Sequence, residues 1–193
     1  MKTLIALCGP AGSGKDAVFN KVIEKSDSLN KIIGSTTRPP REGEIEGVNY
    51  FYLTNQEFID KIINRDMINY EIFREWQYGT ERKAYSDDKT NIGVFNPKAL
   101  MSLLQEDDFN IYIVFIEVNA KTRIMRQLNR EENPDVKEIA RRFLADESDF
   151  SALGVALTAP DLESKIFCLN NETNTIDESA DEILEWAKVN NLL

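Results

Sequence analysis

The distribution of apolar and polar positions predicts strands that alternate with helices along most of the chain. Short apolar runs indicate strands at residues 3–8, 31–35, 91–95, 110–118 and 165–169. Apolar residues at helical spacing indicate helices at residues 17–25, 98–105, 120–130, 136–149 and 176–190. Strands that alternate with helices favour an α/β fold, in which helices flank a parallel sheet.

Residues 35–80 interrupt this alternation and are predicted to form an inserted β-rich piece. The stretch 36–49 contains two prolines and two glycines, which favour turns. Strands are predicted at residues 50–53 and 67–73 and around Tyr78. A helix is predicted at residues 56–64, because Thr54 and Glu57 have the spacing of a capping box.

A glycine-rich loop follows the first predicted strand. Gly9, Gly14 and Lys15 have the spacing of a phosphate-binding loop, and Asp16 stands where that pattern has a serine or threonine. Glycines allow the backbone N–H groups to point at phosphate oxygens, and the following helix presents its positive end. The predicted phosphate-binding residues are Gly9, Gly12, Ser13, Gly14, Lys15 and Asp16.

Composition limits the classes of function. The 193 residues are 42% hydrophobic and 29% charged, which is typical of a soluble globular domain. No apolar run approaches the roughly 20 residues of a membrane helix, so we expect a cytoplasmic protein without a membrane partner. Cys8 and Cys168 lie in apolar stretches and are expected to be buried free thiols. The net charge of −10 disfavours a nucleic-acid partner.

The chain has no histidine, which excludes mechanisms with a histidine base or a histidine metal ligand. Phosphoryl transfer remains compatible with this absence, because positioning and charge neutralisation supply most of its catalysis. The arginines are clustered at residues 38–41, 123–130 and 141–142. Such clusters in an acidic protein indicate local anion sites.

Residues 36–44, Thr-Thr-Arg-Pro-Pro-Arg-Glu-Gly-Glu, followed by Gly47 and Tyr50, resemble the signature of guanylate kinases. The triplet Tyr78-Gly79-Thr80 matches downstream, and the resemblance covers nearly the whole chain. It implies one guanylate-kinase-like domain with a P-loop NTPase-type parallel sheet flanked by helices. The core that holds ATP would comprise residues 1–34, 91–122 and 160–193. An acceptor-binding subdomain would comprise residues 35–90, and a helical lid residues 123–159.

The resemblance also implies a function and its residues. It implies transfer of the ATP γ-phosphoryl group to a nucleoside monophosphate, with Mg²⁺, in a monomer or homodimer. The acceptor phosphate would be bound by Arg38, Arg41, Tyr50 and Tyr78. The catalytic residues would be Lys15, Arg38, Arg126, Arg130 and Arg142. Asn170 would lie on the adenine side of the ATP site.

The positions that match the family's base-binding residues are Gly34, Asn69, Thr80 and Asn96, and Thr80 alone fits the family pattern. At the position of Asn69 the family has a carboxylate. This carboxylate accepts hydrogen bonds from guanine N1–H and from the 2-amino group. Asn69 has one acceptor oxygen and one donor NH₂, so it suits a base edge with one acceptor and one donor, such as adenine or a pyrimidine. We therefore hypothesise an altered base specificity. Glu71 or Glu75 replaces the missing carboxylate if the register of this segment shifts.

Asp16 leaves two further alternatives open. A carboxylate is a hard oxygen ligand, so Asp16 is a candidate for direct binding of Mg²⁺. A Gly-Lys-Asp loop also resembles ribose 1,5-bisphosphate phosphokinases, which phosphorylate a sugar phosphate. A third alternative is a non-catalytic guanylate-kinase-like binding domain, against which Lys15 and the lid arginines argue.

Overall fold

The computed structural model describes residues 1–73, 75–130, 132–160 and 162–193. Its strands are β1 (Lys2–Cys8), β2 (Asn30–Lys31), β3 (Ser35–Thr36), β4 (Phe51–Tyr52), β5 (Met67–Phe73), β6 (Trp76–Glu81), β7 (Asn91–Val94), β8 (Phe109–Glu117) and β9 (Ile166–Asn170). Its α-helices are α1 (Lys15–Lys25), α2 (Asn55–Ile63), α3 (Pro97–Leu103), α4 (Ala120–Leu128), α5 (Val136–Ala156) and α6 (Ile176–Val189). Short 3₁₀ turns cover Arg82–Ala84 and Glu163–Lys165.

A parallel sheet with the strand order β2-β7-β1-β8-β9 forms the centre of the fold. Alternate residues of β1 face opposite sides of this sheet, and both sides are covered. Ile5 and Leu7 pack with α1 and α6, whereas Leu4, Ala6 and Cys8 pack with α3 and α5. This coverage explains why β1 is apolar without alternation, as is typical of parallel strands buried on both faces. The predicted α/β fold is therefore confirmed.

A second, smaller sheet has the strand order β4-β3-β6-β5 and contains the region that interrupts the predicted alternation. β5 and β6 form an antiparallel hairpin, and β3 pairs antiparallel with β6. Helix α2 begins as predicted, because Thr54 and Glu57 form the capping box.

The single strand predicted at residues 31–35 is wrong, because this segment contributes to both sheets. β2 pairs with β7 in the large sheet, and β3 pairs with β4 and β6 in the small one. Gly34 lies between them, and a Cβ at this position would lie 3.3 Å from the carbonyl oxygen of Gly79. The chain therefore passes from one sheet to the other at a position where the backbones approach closely.

Two smaller expectations also need correction. Helix α5 continues to Ala156, beyond the predicted end at residue 149, because its last turns bury Leu153. Cys8 is buried, and burial raises the pKa of its thiol to about 12. Cys168 is exposed, contrary to expectation, because β9 is an edge strand of the large sheet. Within the described ranges, none of the helices is long and apolar enough to cross a membrane.

Candidate functional site

The loop between β1 and α1 has the curled backbone that the glycine pattern predicts. Gly12 and Gly14 have φ angles of 83° and 87°, in the left-handed region that favours glycine. A Cβ at Gly12 would lie 2.5 Å from the carbonyl oxygen of Arg123, and one at Gly14 would lie 2.8 Å from Asn171 Nδ2. Neighbouring groups thus enclose the loop so closely that any larger residue would displace them.

The polar groups of the loop suit an anionic ligand. Lys15 is the first residue of α1, and its Nζ lies 3.9 Å from the exposed carboxylate of Asp16. The N-cap of this helix is Gly14, which has no side chain to bind the free N–H groups of the first turn. The buried hydroxyl of Ser13 has no hydrogen-bond partner among the described side chains and backbone. The loop, Lys15 and the helix end together fit a chain of phosphate groups.

Asn171 holds this loop in place, a role that the sequence analysis missed. Its Nδ2 donates to the carbonyl oxygen of Ser13 at 2.7 Å, and its Oδ1 accepts from Ser179 Oγ at 2.7 Å. Asn171 is buried, whereas the predicted residue Asn170 is exposed at the end of β9. The chain passes from the strand into the following turn between these two residues, so the second asparagine points at the loop.

We expect Asn171→Ala to destabilise the protein and to weaken ATP binding, because the variant leaves the buried Ser13 carbonyl and Ser179 hydroxyl without these partners. The free energy of unfolding should fall by about 1–3 kcal/mol. Asn170→Ala is the matched control and should leave both properties near wild type. Urea unfolding and ATP binding by calorimetry measure the two effects. Equal losses in both variants would contradict the assignment.

Of the three predicted lid arginines, Arg126 contacts the phosphate-binding loop. Its Nη1 donates to the Ser13 carbonyl at 3.5 Å and its Nη2 to the Asn171 carbonyl at 3.0 Å. Arg130 is exposed just beyond α4, and Arg142 Nε donates to Glu138 Oε1 at 2.8 Å on α5. The structure therefore places one of the three guanidinium groups at the loop and pairs another with a carboxylate.

Helix α5 also touches the loop through Asp146, a second residue that sequence reasoning missed. Asp146 Oδ2 accepts from the backbone N–H of Ala11, with an N–O distance of 2.6 Å. The neighbouring Glu147 pairs with the buried Arg123 at 2.8 Å, and Arg123 Nε and Nη1 have no hydrogen-bond partner among the described residues. The Asp146 carboxylate thus accepts a hydrogen bond from a loop N–H group of the kind that binds phosphate oxygens.

Replacing Asp146 with asparagine is expected to lower the KM for ATP by about fivefold, which corresponds to about 1 kcal/mol. The neutral amide can still accept from Ala11 N–H, but it does not repel the donor phosphates. Initial rates at varied ATP concentration measure this change. An increase in KM would show instead that the carboxylate helps to form the ATP site.

The residues predicted to bind the acceptor phosphate form a second cluster in the small sheet and the turns beside it. The buried Arg38 pairs with Glu44 at 2.8 Å and lies over the ring of Tyr50, 5.7 Å from its centroid. Tyr50 and Tyr78 pack edge to face, with ring centroids 6.1 Å apart. The Arg38 guanidinium lowers the pKa of Glu44 to about 2, so Arg38 has an ionised partner at neutral pH. The fourth predicted residue, Arg41, is exposed.

The four predicted base-binding residues line one cavity of about 400 Å³. Asn69 and Thr80 are neighbours across the β5–β6 hairpin, and Thr80 Oγ1 donates to Asn69 Oδ1 at 3.4 Å. Asn69 Nδ2 is buried without a partner in the described part of the chain. Asn96 caps α3 by accepting from Ala99 N–H. Gly34 completes the set, and the same cavity is lined by Asp16, Tyr50 and Tyr78.

Comparisons with known proteins show the family of this chain. Residues 1–170 match the family model described as "Guanylate kinase". The chain belongs to the guanylate kinase family. It is 35% identical over 157 residues to a guanylate kinase of Mesoplasma florum, which covers 76% of this chain and 46% of that protein. A guanylate kinase of Mycoplasma capricolum is 34% identical over 149 residues, which covers 72% of this chain and 43% of that protein.

The chain spans about half the length of these two guanylate kinases. A guanylate kinase of Chlorobium luteolum is 28% identical over 144 residues, with 72% of this chain and 73% of that protein covered. A crystal structure of guanylate kinase from Anaplasma phagocytophilum has a TM-score of 0.67 at 20% identity, covering 100% of this chain and 87% of that chain. This structural similarity supports the guanylate kinase fold of the chain.

Proposed function

We propose that the protein transfers the γ-phosphoryl group of ATP to a nucleoside monophosphate. One observation carries this proposal: the start of α1, directly after the loop, and the two tyrosines of the arginine–tyrosine cluster border one cavity. Asp16, directly after the loop lysine, lines this cavity together with Tyr50 and Tyr78. The loop and the arginine–tyrosine cluster each suit an anion, so their approach to one cavity fits a reaction between two phosphate-bearing substrates.

On the donor side, the N–H groups of the loop, Lys15 and Arg126 would hold the ATP phosphates. Their positive charge would offset the negative charge that develops as the phosphoryl group moves. Within the described ranges there is no cluster of three or more carboxylate, cysteine or histidine side chains that could hold a metal. The single exposed carboxylate of Asp16 nevertheless fits a Mg²⁺ ion held mainly by phosphate oxygens. Mg²⁺ would supply further charge neutralisation there.

On the acceptor side, Arg38 would exchange Glu44 for the phosphate dianion, with Tyr50 and Tyr78 hydroxyls as further donors. A guanidinium presents a planar fork of donors that matches phosphate geometry. The attacking phosphate oxygen is already ionised, so the reaction needs no side-chain base. This is compatible with a chain that has no histidine.

In this proposal residues 35–90 bind the acceptor and residues 123–159 close over the reacting groups. Arg126 already contacts the loop, and Arg130 and Arg142 would approach the phosphates on closure. Closure would exclude water, which would otherwise accept the phosphoryl group.

A coupled assay of ADP release with Mg-ATP tests the proposal. The acceptors to compare are GMP, dGMP, AMP, CMP, UMP, dTMP and ribose 1,5-bisphosphate. Turnover of a nucleoside monophosphate is the expected result. Exclusive turnover of the sugar phosphate would replace it with the phosphokinase alternative. No turnover at all, in a protein that still binds ATP, would favour a binding domain.

A further inference from the structure

The cavity lined by the four predicted base-binding residues is called the base cavity below. It contains a carboxylate, Glu71, two residues beyond the position where the family pattern has one. Asn69 and Glu71 both line the cavity, because alternate residues of strand β5 face the same side. They lie opposite Thr80 and Tyr78 of β6, respectively. Glu71 is half-buried, whereas the other candidate carboxylate, Glu75, is exposed and does not line the cavity.

Asn96 fixes the position of this carboxylate. Its Nδ2 donates to Glu71 Oε1, while its Oδ1 caps helix α3 through Ala99 N–H. Asn96 therefore has both side-chain groups engaged by protein atoms. A carboxylate has about four acceptor positions, so Glu71 can still accept further hydrogen bonds from a ligand after this contact.

Asn69 supplies the complementary group. Its Oδ1 accepts from Thr80, which leaves the buried Nδ2 as a donor without a partner among the described residues. A buried donor without a partner in the protein is suited to an acceptor on a ligand. The cavity thus offers one donor from Asn69 and two adjacent acceptor oxygens from Glu71.

This arrangement distinguishes between the nucleobases. Guanine presents O6 as an acceptor beside two adjacent donors, N1–H and the 2-amino group. Adenine and cytosine present an amino group beside a ring acceptor, and uracil presents one N–H between two carbonyl groups. With these three bases, a carboxylate that approaches with both oxygens meets an acceptor, and two acceptors repel each other.

We propose that Glu71 is the specificity-determining carboxylate of this chain and that it binds guanine N1–H and the 2-amino group, while Asn69 Nδ2 donates to O6. This inference rests on the proposed nucleoside monophosphate kinase activity. It also changes the expected effect of Asn69 on base specificity. Taken alone, Asn69 disfavours guanine, but beside Glu71 it supplies the donor that O6 requires.

The test compares kcat/KM for GMP, IMP and AMP in the wild type, Glu71→Gln and Glu75→Gln. IMP lacks the 2-amino group, so the wild type should use it about 30-fold less well than GMP. Glu71→Gln should lose about 100-fold in kcat/KM for GMP and most of the discrimination against IMP, since an amide offers one acceptor in place of two. Glu75→Gln should behave as the wild type.

Three outcomes separate the possible failures. A wild type that prefers AMP or a pyrimidine nucleotide would overturn the role of Glu71 and leave the kinase proposal standing. Equal kcat/KM of the wild type for GMP and IMP would also overturn it, and this measurement does not depend on the folding of any variant. A wild type that phosphorylates no nucleoside monophosphate would remove both proposals. A GMP-specific loss in Glu71→Gln, with an unchanged thermal midpoint, is the supporting result.

Discussion

Lys15→Met is expected to reduce kcat for phosphoryl transfer by about 10³-fold while the protein remains folded. The ammonium is the only side-chain cation that the loop itself provides, and Asp16 beside it adds negative charge that Lys15 must offset. A methionine retains the length and apolar stem of lysine and removes the charge. The loop backbone should persist, because its glycines and its contact with Asn171 do not depend on Lys15.

The matched control is Lys21→Met, on the same helix, where the ammonium pairs with Glu24 at 2.8 Å. Steady-state rates at saturating Mg-ATP and acceptor measure the effect in both variants, and thermal unfolding confirms that both are folded. A Lys15→Met variant within about tenfold of the wild-type rate would show that the loop does not bind the transferred phosphoryl group.

Arg38→Ala is expected to have two effects that arise from the same contacts. The acceptor phosphate would lose its forked donor, so kcat/KM for the acceptor should fall by about 100-fold or more. Glu44 would also lose its ionic partner, and we expect the free energy of unfolding to fall by about 1–3 kcal/mol. The KM for ATP should change little, because the Arg38 guanidinium donates to Glu44 and to the Pro39 carbonyl and not to the loop.

Arg41→Ala separates these effects, because Arg41 is exposed and its backbone N–H, not its side chain, binds Glu44. We expect this variant to keep wild-type stability and to lose less acceptor affinity than Arg38→Ala. Urea unfolding and acceptor titrations measure both. If Arg38→Ala lost stability without any change in acceptor KM, the arginine would have a purely structural role.

Local patterns in the sequence predicted the parts of the site that are close in the chain. The loop follows from the spacing of Gly9, Gly14 and Lys15, and the capping box of α2 follows from Thr54 and Glu57. These features depend on residues a few positions apart, so their geometry is already contained in a short segment. The alternation of apolar runs likewise predicted the parallel sheet.

The sequence could not show contacts between distant segments. Asp146 and Asn171 bind the loop from 135 and 158 residues away, and no local pattern distinguishes them from other polar residues on their elements. The same limit applies to Glu71, whose carboxylate is held in position by a hydrogen bond from Asn96, 25 residues later. The segment 31–35 is divided because its two ends pair with different sheets. A periodic pattern of apolar residues does not show which sheet each end joins.

The passage of the chain between the two sheets at Gly34 has a mechanical consequence. The base cavity is lined by Asn69 and Tyr78 from the small sheet and by Asn96 from the end of the large one. A nucleotide in this cavity would therefore contact both sheets and connect them while it is bound. Part of its binding free energy would fix the relative orientation of the two sheets. The sheets would therefore move less about Gly34 when a nucleotide is bound than when the cavity is empty.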